Sequence, residues 1–138
     1  MIRKWLGHYN LADMYEMEQD VLETAMKSVF YRESRFDHRA VSEADDRGIS
    51  QVSRLMRKRI RELHHQGFVD FSFDEEQYFN PNNAIRAGIW VFGQDLASSD
   101  GDLKKAISIY HRGPKNFYDA AGIQQGHSVL CSLGKPST

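Results

Sequence analysis

Apolar residues recur at helical spacing in several segments of the chain. The first clear segment places four of them on one helix face: Leu22, Met26, Val29 and Phe30. The pattern predicts a helix that runs to about residue 34. Asp20 and Glu23 have the spacing of a capping box, which predicts that this helix begins at Asp20. The stretch 11–19 is rich in Met and Glu and predicts a preceding helix.

Three further helices are predicted downstream from their capping residues. Ser53 precedes an amphipathic pattern that Gly67 should end. Asn82 or Asn83 is expected to cap the next helix. Asp102 is expected to cap a third, because its side chain can accept an early backbone N–H of the helix. Gly113-Pro114 is predicted to end this third helix, and a last short helix is predicted at residues 115–125.

The segments between these helices carry turn formers and no strong strand pattern. Residues 35–48 predict a polar loop, and residues 68–81 predict an irregular loop whose first residues could form a short strand. No repeat or linker divides the chain. We therefore expect a mainly α, compact single domain over residues 1–138, with an irregular tail at 126–138.

Charge and cysteine content narrow the function classes. Lys and Arg number 18 against 19 Asp and Glu, a net charge of −1, so no global field attracts nucleic acid. The basic segment 54–61 is predicted to be a solvated helix face. His64 and His65 are adjacent and would point about 100 degrees apart on a helix, so they predict no metal pair. The single cysteine, Cys131, cannot form an internal disulfide.

The N-terminal segment begins with basic residues but lacks the apolar run and cleavage site of a secretory signal. Nowhere do about 18 apolar residues run together, so no membrane span is expected. The chain is expected to be made without an export signal or to have been trimmed of one. A monomer is expected.

One acidic residue interrupts an apolar stripe. Glu33 lies 7 residues beyond Met26 and 11 beyond Leu22, so on a helix it projects within about 20 degrees of both. Desolvation there would raise the pKa of its carboxyl, and a protonated carboxyl can act as a general acid. Position alone also permits a solvated acid at a frayed helix end, or an ion pair with a nearby arginine: Arg32, Arg35 or Arg47.

Motifs in a fixed order accompany this acid. They are Glu33-Ser34, Phe36, Ala40-Val41-Ser42, Gly48-Ile49-Ser50-Gln51, Ala84-Ile85-Arg86-Ala87-Gly88, and Ile109-Tyr110-His111 before Gly113-Pro114. Over about residues 20–120 the chain resembles the lytic transglycosylase domain of the soluble-lytic-transglycosylase type, a relative of goose-type lysozyme. Several motifs in order are more specific than any one of them.

The resemblance implies a lysozyme-like fold and an enzyme of the cell wall. It would cleave the β-1,4 bond between N-acetylmuramic acid and N-acetylglucosamine in peptidoglycan, leaving a 1,6-anhydromuramoyl product. Glu33 would be the sole catalytic acid and base, bonded by the Tyr110 hydroxyl. No cofactor or metal is implied. The glycan strand would contact six residues: Ser34, Gly48, Ser50, Gln51, Tyr110 and His111.

Two alternatives remain open, and departures from the family pattern keep the second of them open. Ser50 replaces a hydrophobe and would remove an apolar wall from the cleft, His111 replaces an Asn, and Asp45 replaces a loop Gly. One alternative is a hydrolytic muramidase or chitinase of the same fold, in which Asp37, Asp45 or Asp46 activates water. The other is a wall-binding or virion structural module that has lost turnover.

Export without a visible leader and delivery by a phage both fit a wall substrate. Two aromatic residues are candidates for a cleft wall: Tyr78 and Phe79.

Overall fold

The computed structural model describes residues 1–112, which form six α-helices and one 3₁₀ helix. In chain order these are α1 (Ile2–His8), α2 (Leu11–Met14), α3 (Gln19–Ser34), α4 (Arg54–His65), the 3₁₀ helix (Glu75–Phe79), α5 (Pro81–Ser98) and α6 (Leu103–Arg112). Residues 1–112 contain no strand, apart from two isolated antiparallel bridges that join Arg47 to Val41 and to Val52. The mainly α fold class is confirmed. The predictions for residues 113–138 lie outside the described residues.

Helix α5 is the centre of the fold. It is apolar on most of its circumference, and it packs against α1, α6 and the 3₁₀ helix. At Gly88 its backbone approaches two other segments closely: an added Cβ would lie 2.5 Å from the Ser50 Cβ and 2.9 Å from the Phe30 ring. The loop before α4 and the C-terminal half of α3 therefore meet on α5 at this point.

The start of α3 differs from the predicted capping box. The N-cap residue is Glu18, and no side chain caps the helix. Asp20 instead accepts a hydrogen bond of 2.6 Å from Arg3, because α1 docks beside α3 and supplies that guanidinium. The helix predicted over 11–19 is also too long, since α2 ends at Met14 and Glu16 has a left-handed backbone with φ of 54°.

Helix α1 was not predicted, although it contributes to the core. Trp5 and Leu6 are buried on its inner face. The Trp5 indole N–H donates to the side-chain oxygen of Asn82 at 3.0 Å, which links α1 to the first turn of α5. Within residues 1–112, no helix combines the length and apolarity needed to cross a membrane.

Two of the predicted caps are confirmed and one is displaced. Ser53 accepts the Met56 backbone N–H at 3.1 Å, and Asp102 accepts the Lys105 N–H at 3.1 Å. The α5 cap is Asn80, two residues before the first predicted candidate, and it accepts the backbone N–H of the residue three positions on at 3.2 Å. Pro81 explains the shift, because its fixed φ suits the first position of a helix.

Two predictions for side chains near the loop segments are wrong. Segment 54–61 is not a uniformly solvated face, because Arg57 is fully buried. Tyr78 does not line a cleft: it is fully buried, and its ring packs edge-on against Phe73. Phe79 is half-buried, with the Arg47 guanidinium 5.3 Å from its ring centroid. Of residues 68–81, which were predicted to form an irregular loop, residues 68–74 are irregular and form no strand, but Glu75–Phe79 form the 3₁₀ helix.

Candidate active site

Glu33 lies in the last turn of α3, where the helix faces α6. The helix ends directly afterwards because Arg35 and Phe36 both have left-handed backbone conformations, with φ of 55° and 61°. The exposed fraction of the Glu33 side chain is 17%. The predicted position on the buried side of α3 is therefore correct, and the carboxylate reaches the surface only in part.

The surroundings of Glu33 raise the pKa of its carboxyl above the ordinary value. Burial is the largest cause, and the negative charge of Asp46 acts in the same direction. The hydrogen bond and charge of His111 oppose the shift, as does the charge of Arg32, but they do not cancel it. Glu33 therefore holds its proton to a higher pH than a solvated glutamate, which a general acid requires.

His111 on α6 is the side chain opposite Glu33. Its Nδ1 lies 3.5 Å from Glu33 Oε2, and the imidazole is half exposed. This distance is at the outer limit of a hydrogen bond, so the contact is weak. The structure thus brings together two of the predicted site residues from elements 78 positions apart.

Tyr110 is close to Glu33 but does not donate to it. Its hydroxyl donates to the backbone carbonyl of Ser50 at 2.6 Å, contrary to the bond with the catalytic carboxylate that the resemblance implied. Burial, reinforced by the charges of Glu33 and Asp95, raises the pKa of Tyr110 well above its ordinary value. Tyr110 therefore remains protonated and fixes the loop that contains Ser50.

Two serines predicted to contact substrate bind the backbone instead. The Ser34 hydroxyl donates to the Ile49 carbonyl at 2.7 Å, and the Ser50 hydroxyl donates to the Ala84 carbonyl at 2.7 Å. Ser50 is fully buried, so it does not open a gap in a cleft wall as predicted. Both residues join the loop before α4 to neighbouring helices.

Gly48 and Gln51 shape that same loop. Gly48 is buried with φ of 74°, and an added Cβ would lie 2.3 Å from the Tyr78 carbonyl oxygen. Gln51 also has a left-handed backbone, and its side-chain amide donates to the carbonyls of Gly48 at 3.0 Å and Ala40 at 3.2 Å. The amide donors that were predicted to bind sugar are thus used within the loop.

The three acids considered as a second carboxylate differ in their surroundings. Asp45 binds Arg47 and Arg57 at 2.9 Å each, and these contacts lower the pKa of its carboxyl. Asp37 is exposed and accepts the backbone N–H of the residue two positions on. Asp46 is the one of the three whose charge raises the pKa of Glu33.

The sequence prediction missed one residue next to this loop. Arg57 is fully buried and donates to Asp45, Glu75 and the Val52 carbonyl. A signal was available, because Arg57 lies three residues before Ile60 and therefore on the buried side of α4. In the part of the chain that the structure describes, no group of three or more His, Cys, Asp or Glu side chains could hold a metal ion.

Tyr110→Phe is expected to lower the free energy of unfolding by about 1–3 kcal/mol, because the Ser50 carbonyl would lose its donor in a buried position. Urea titration measures the loss. Tyr31→Phe is the matched control, since Tyr31 is exposed and should change stability by less than about 0.5 kcal/mol. Equal values for the two variants would show that the Tyr110 hydroxyl does not hold the loop.

A family model described as Transglycosylase SLT domain matches residues 10–128. The match begins just before α2 and includes every helix from α2 to α6. Searches among curated proteins and among solved structures gave no significant match.

Proposed function

Because the chain belongs to the transglycosylase SLT domain family, we propose that it is a lytic transglycosylase that cleaves the β-1,4 bond between N-acetylmuramic acid and N-acetylglucosamine in peptidoglycan. The observation that supports this reaction is the largely buried carboxyl of Glu33, whose pKa is raised, at the end of α3. We propose further that residues 1–138 form one lysozyme-like domain that acts as a monomer at the cell wall.

In the first step Glu33 acts as the acid. It donates its proton to the glycosidic oxygen while the bond between that oxygen and the muramoyl C1 breaks, and the N-acetylglucosamine side leaves with a free 4-hydroxyl. The positive charge that develops at C1 is stabilised by the carbonyl oxygen of the substrate's own N-acetyl group, so a second protein carboxylate is not needed. Burial of Glu33 favours this step because it keeps the carboxyl protonated.

In the second step the Glu33 carboxylate acts as the base. It takes the proton of the muramoyl 6-hydroxyl, whose oxygen bonds to C1 and closes the 1,6-anhydro ring. No water is consumed, and Glu33 regains the proton that it gave away. His111 faces the carboxylate and stabilises its ionised form between the two steps.

The substrate contacts in this proposal differ from those that the motifs suggested. Ser34, Ser50 and Gln51 support the loop before α4, and they act on the glycan through that loop. His111 is exposed and faces Glu33, so it is the predicted binding residue best placed to contact a sugar. Tyr110 orients the loop and stays beneath the site.

The test is digestion of purified peptidoglycan in water enriched in ¹⁸O, followed by mass analysis of the muropeptides. A lytic transglycosylase gives products that carry no ¹⁸O and are lighter by one water than hydrolysis products. Incorporation of ¹⁸O at the new reducing end would contradict the proposal and indicate a muramidase. Binding to walls without any cleavage would instead indicate a wall-binding or structural module.

A hydrolase is the second candidate, and the charge of Asp46 is the observation in its favour. Asp46 is the one of the three candidate acids whose charge raises the pKa of Glu33, so it is the acid that we propose for activating a water molecule in a hydrolase. If ¹⁸O enters the products, Asp46→Asn should abolish that incorporation, since the hydrolytic path needs a second carboxylate. In a transglycosylase the same variant should retain product formation.

His111→Asn is expected to move the alkaline limb of the kcat/KM profile to higher pH. His111 lowers the pKa of Glu33 through its hydrogen bond and its charge, and an amide cannot carry that charge. Without it Glu33 remains protonated, and so active as an acid, to a higher pH. Activity at the optimum should fall by less than about tenfold, because an amide can still bond to a sugar.

The measurement is a pH profile on a defined muropeptide, with His38→Asn as the control. His38 is also exposed, but it lies in the loop after α3 and its contact is with Arg39. Its variant should keep the wild-type profile. An unchanged or lowered alkaline limb in His111→Asn would contradict the pairing with Glu33.

A further inference from the structure

The buried guanidinium of Arg57 lies between two segments of the chain. One is segment 45–52, which links the loop after α3 to the start of α4, and the other is the 3₁₀ helix. A buried cation is costly unless its donors are paired. Here the side chain has no exposure, and all three of its nitrogen atoms donate hydrogen bonds.

Both ends of segment 45–52 bind this one guanidinium. Its Nη1 donates to the backbone carbonyls of Asp45 at 2.6 Å and Val52 at 2.8 Å, and its Nη2 donates to the Asp45 carboxylate at 2.9 Å. On the other side Nε and Nη2 donate to the two carboxylate oxygens of Glu75, at 3.0 and 3.2 Å. The two-pronged contact fixes the orientation of the guanidinium plane, and with it the span of the segment.

Segment 45–52 binds the residues that adjoin Glu33 and His111 in the chain. The Ile49 carbonyl accepts from Ser34, the neighbour of Glu33, and the Ser50 carbonyl accepts from Tyr110, the neighbour of His111. The segment therefore joins the end of α3 to the end of α6, the two helix ends that bring the acid and the imidazole together.

We propose that Arg57 is a positioning residue for the Glu33 site, because it fixes the segment that holds the ends of α3 and α6 in register. The catalytic consequence of this role rests on the proposed function, but the effect of Arg57 on the surroundings of Glu33 can be measured without turnover. The hydrogen bonds of Arg57 go to Asp45, Val52 and Glu75 and not to Glu33, so it acts on the site through the carbonyls of Ile49 and Ser50.

The test is Arg57→Lys, which keeps the charge but loses the planar fork that binds the two sides at once. We expect a folded protein by circular dichroism, with kcat lowered about 10- to 100-fold and KM changed less, because a small displacement of catalytic groups has effects of this size. The pH titration of Glu33, followed by NMR of ¹³C-labelled glutamate and assigned with Glu33→Gln, should move to lower pH. Displacement of the segment would expose Glu33 and carry Asp46 away from it.

Arg61→Lys is the matched control. Arg61 also donates to Glu75, at 3.1 Å, but it is exposed and does not contact segment 45–52. Its kcat and Glu33 titration should match the wild type. If Arg57→Lys does not fold, Asp45→Asn provides the same test, because it keeps Arg57 and removes the charge that holds one end of the segment.

A folded Arg57→Lys or Asp45→Asn protein with wild-type kcat and an unchanged Glu33 titration would overturn the positioning role. A wild-type protein that cleaves no peptidoglycan would overturn the proposed function instead. In that case the Glu33 titration alone decides whether Arg57 orders the site, so the two failures are distinguishable.

Discussion

Glu33→Gln is expected to lower the rate of peptidoglycan cleavage by about 10³-fold or more. The amide has nearly the same shape but can neither donate a proton to the glycosidic oxygen nor accept one from the 6-hydroxyl. A single general acid or base contributes about 10²- to 10⁴-fold, and in the proposed mechanism one carboxyl has both roles. Release of soluble muropeptides, quantified by mass spectrometry, measures the loss.

The same substitution should leave the fold intact at neutral pH. The pKa of Glu33 is raised in the folded protein, so the wild type loses stability as the pH rises above the pKa of this carboxyl in the unfolded chain. The glutamine has no charge to bury, and its free energy of unfolding at pH 7 should equal or exceed that of the wild type. Glu43→Gln, at an exposed loop position, is the control and should retain full activity. An active Glu33→Gln protein would rule out Glu33 as the acid.

Gly48→Ala is expected to have the largest effect on stability, a loss of about 2–4 kcal/mol. A φ of 74° strains any residue with a Cβ, and this Cβ would lie 2.3 Å from the Tyr78 carbonyl oxygen. Backbone on both sides of the clash would have to move, which displaces the loop that holds Ser50. Activity should fall with stability, and urea unfolding gives the free energy.

Gly67→Ala separates the two causes. Gly67 also has positive φ, 84°, but nothing lies within 4 Å of an added Cβ. Its variant should lose about 1 kcal/mol from backbone strain alone. The difference between the two variants measures the cost of the clash with Tyr78. Equal losses would mean that the loop at Gly48 relaxes freely and does not constrain the site.

The features of the fold that depend on residues close together in the sequence were predictable. Ser53 and Asp102 cap helices because each bonds to a backbone N–H three residues on, and the sequence contains both partners. Asp20 and Asn82 have the same local chemistry but are bound by Arg3 and Trp5, which reach them from α1. The sequence pattern did not indicate α1 or its docking, so the cap at Asp20 was predicted wrongly. The cap predicted at Asn82 moved to Asn80 because Pro81 occupies the first position of the helix.

In the candidate site, too, features set by residues close in the sequence were predictable, and features set by distant residues were not. Helical spacing alone placed Glu33 on the buried side of α3, and the family motifs brought in Tyr110 and His111. The hydroxyl of Tyr110 was assigned to the wrong acceptor because Ser50 is 60 residues away, and only the folded chain brings its carbonyl within reach. The burial of Arg57 could have been predicted from its spacing to Ile60, but its partners could not, because its acceptors include backbone carbonyls, which no side-chain motif records.

The long sequence separation between Glu33 and His111 has a consequence for biosynthesis. A ribosome produces α3 well before α6, and until α6 emerges the Ser50 carbonyl lacks its tyrosine donor and Glu33 lacks its histidine partner. A nascent or truncated chain that ends before α6 therefore cannot assemble this acid–imidazole pair.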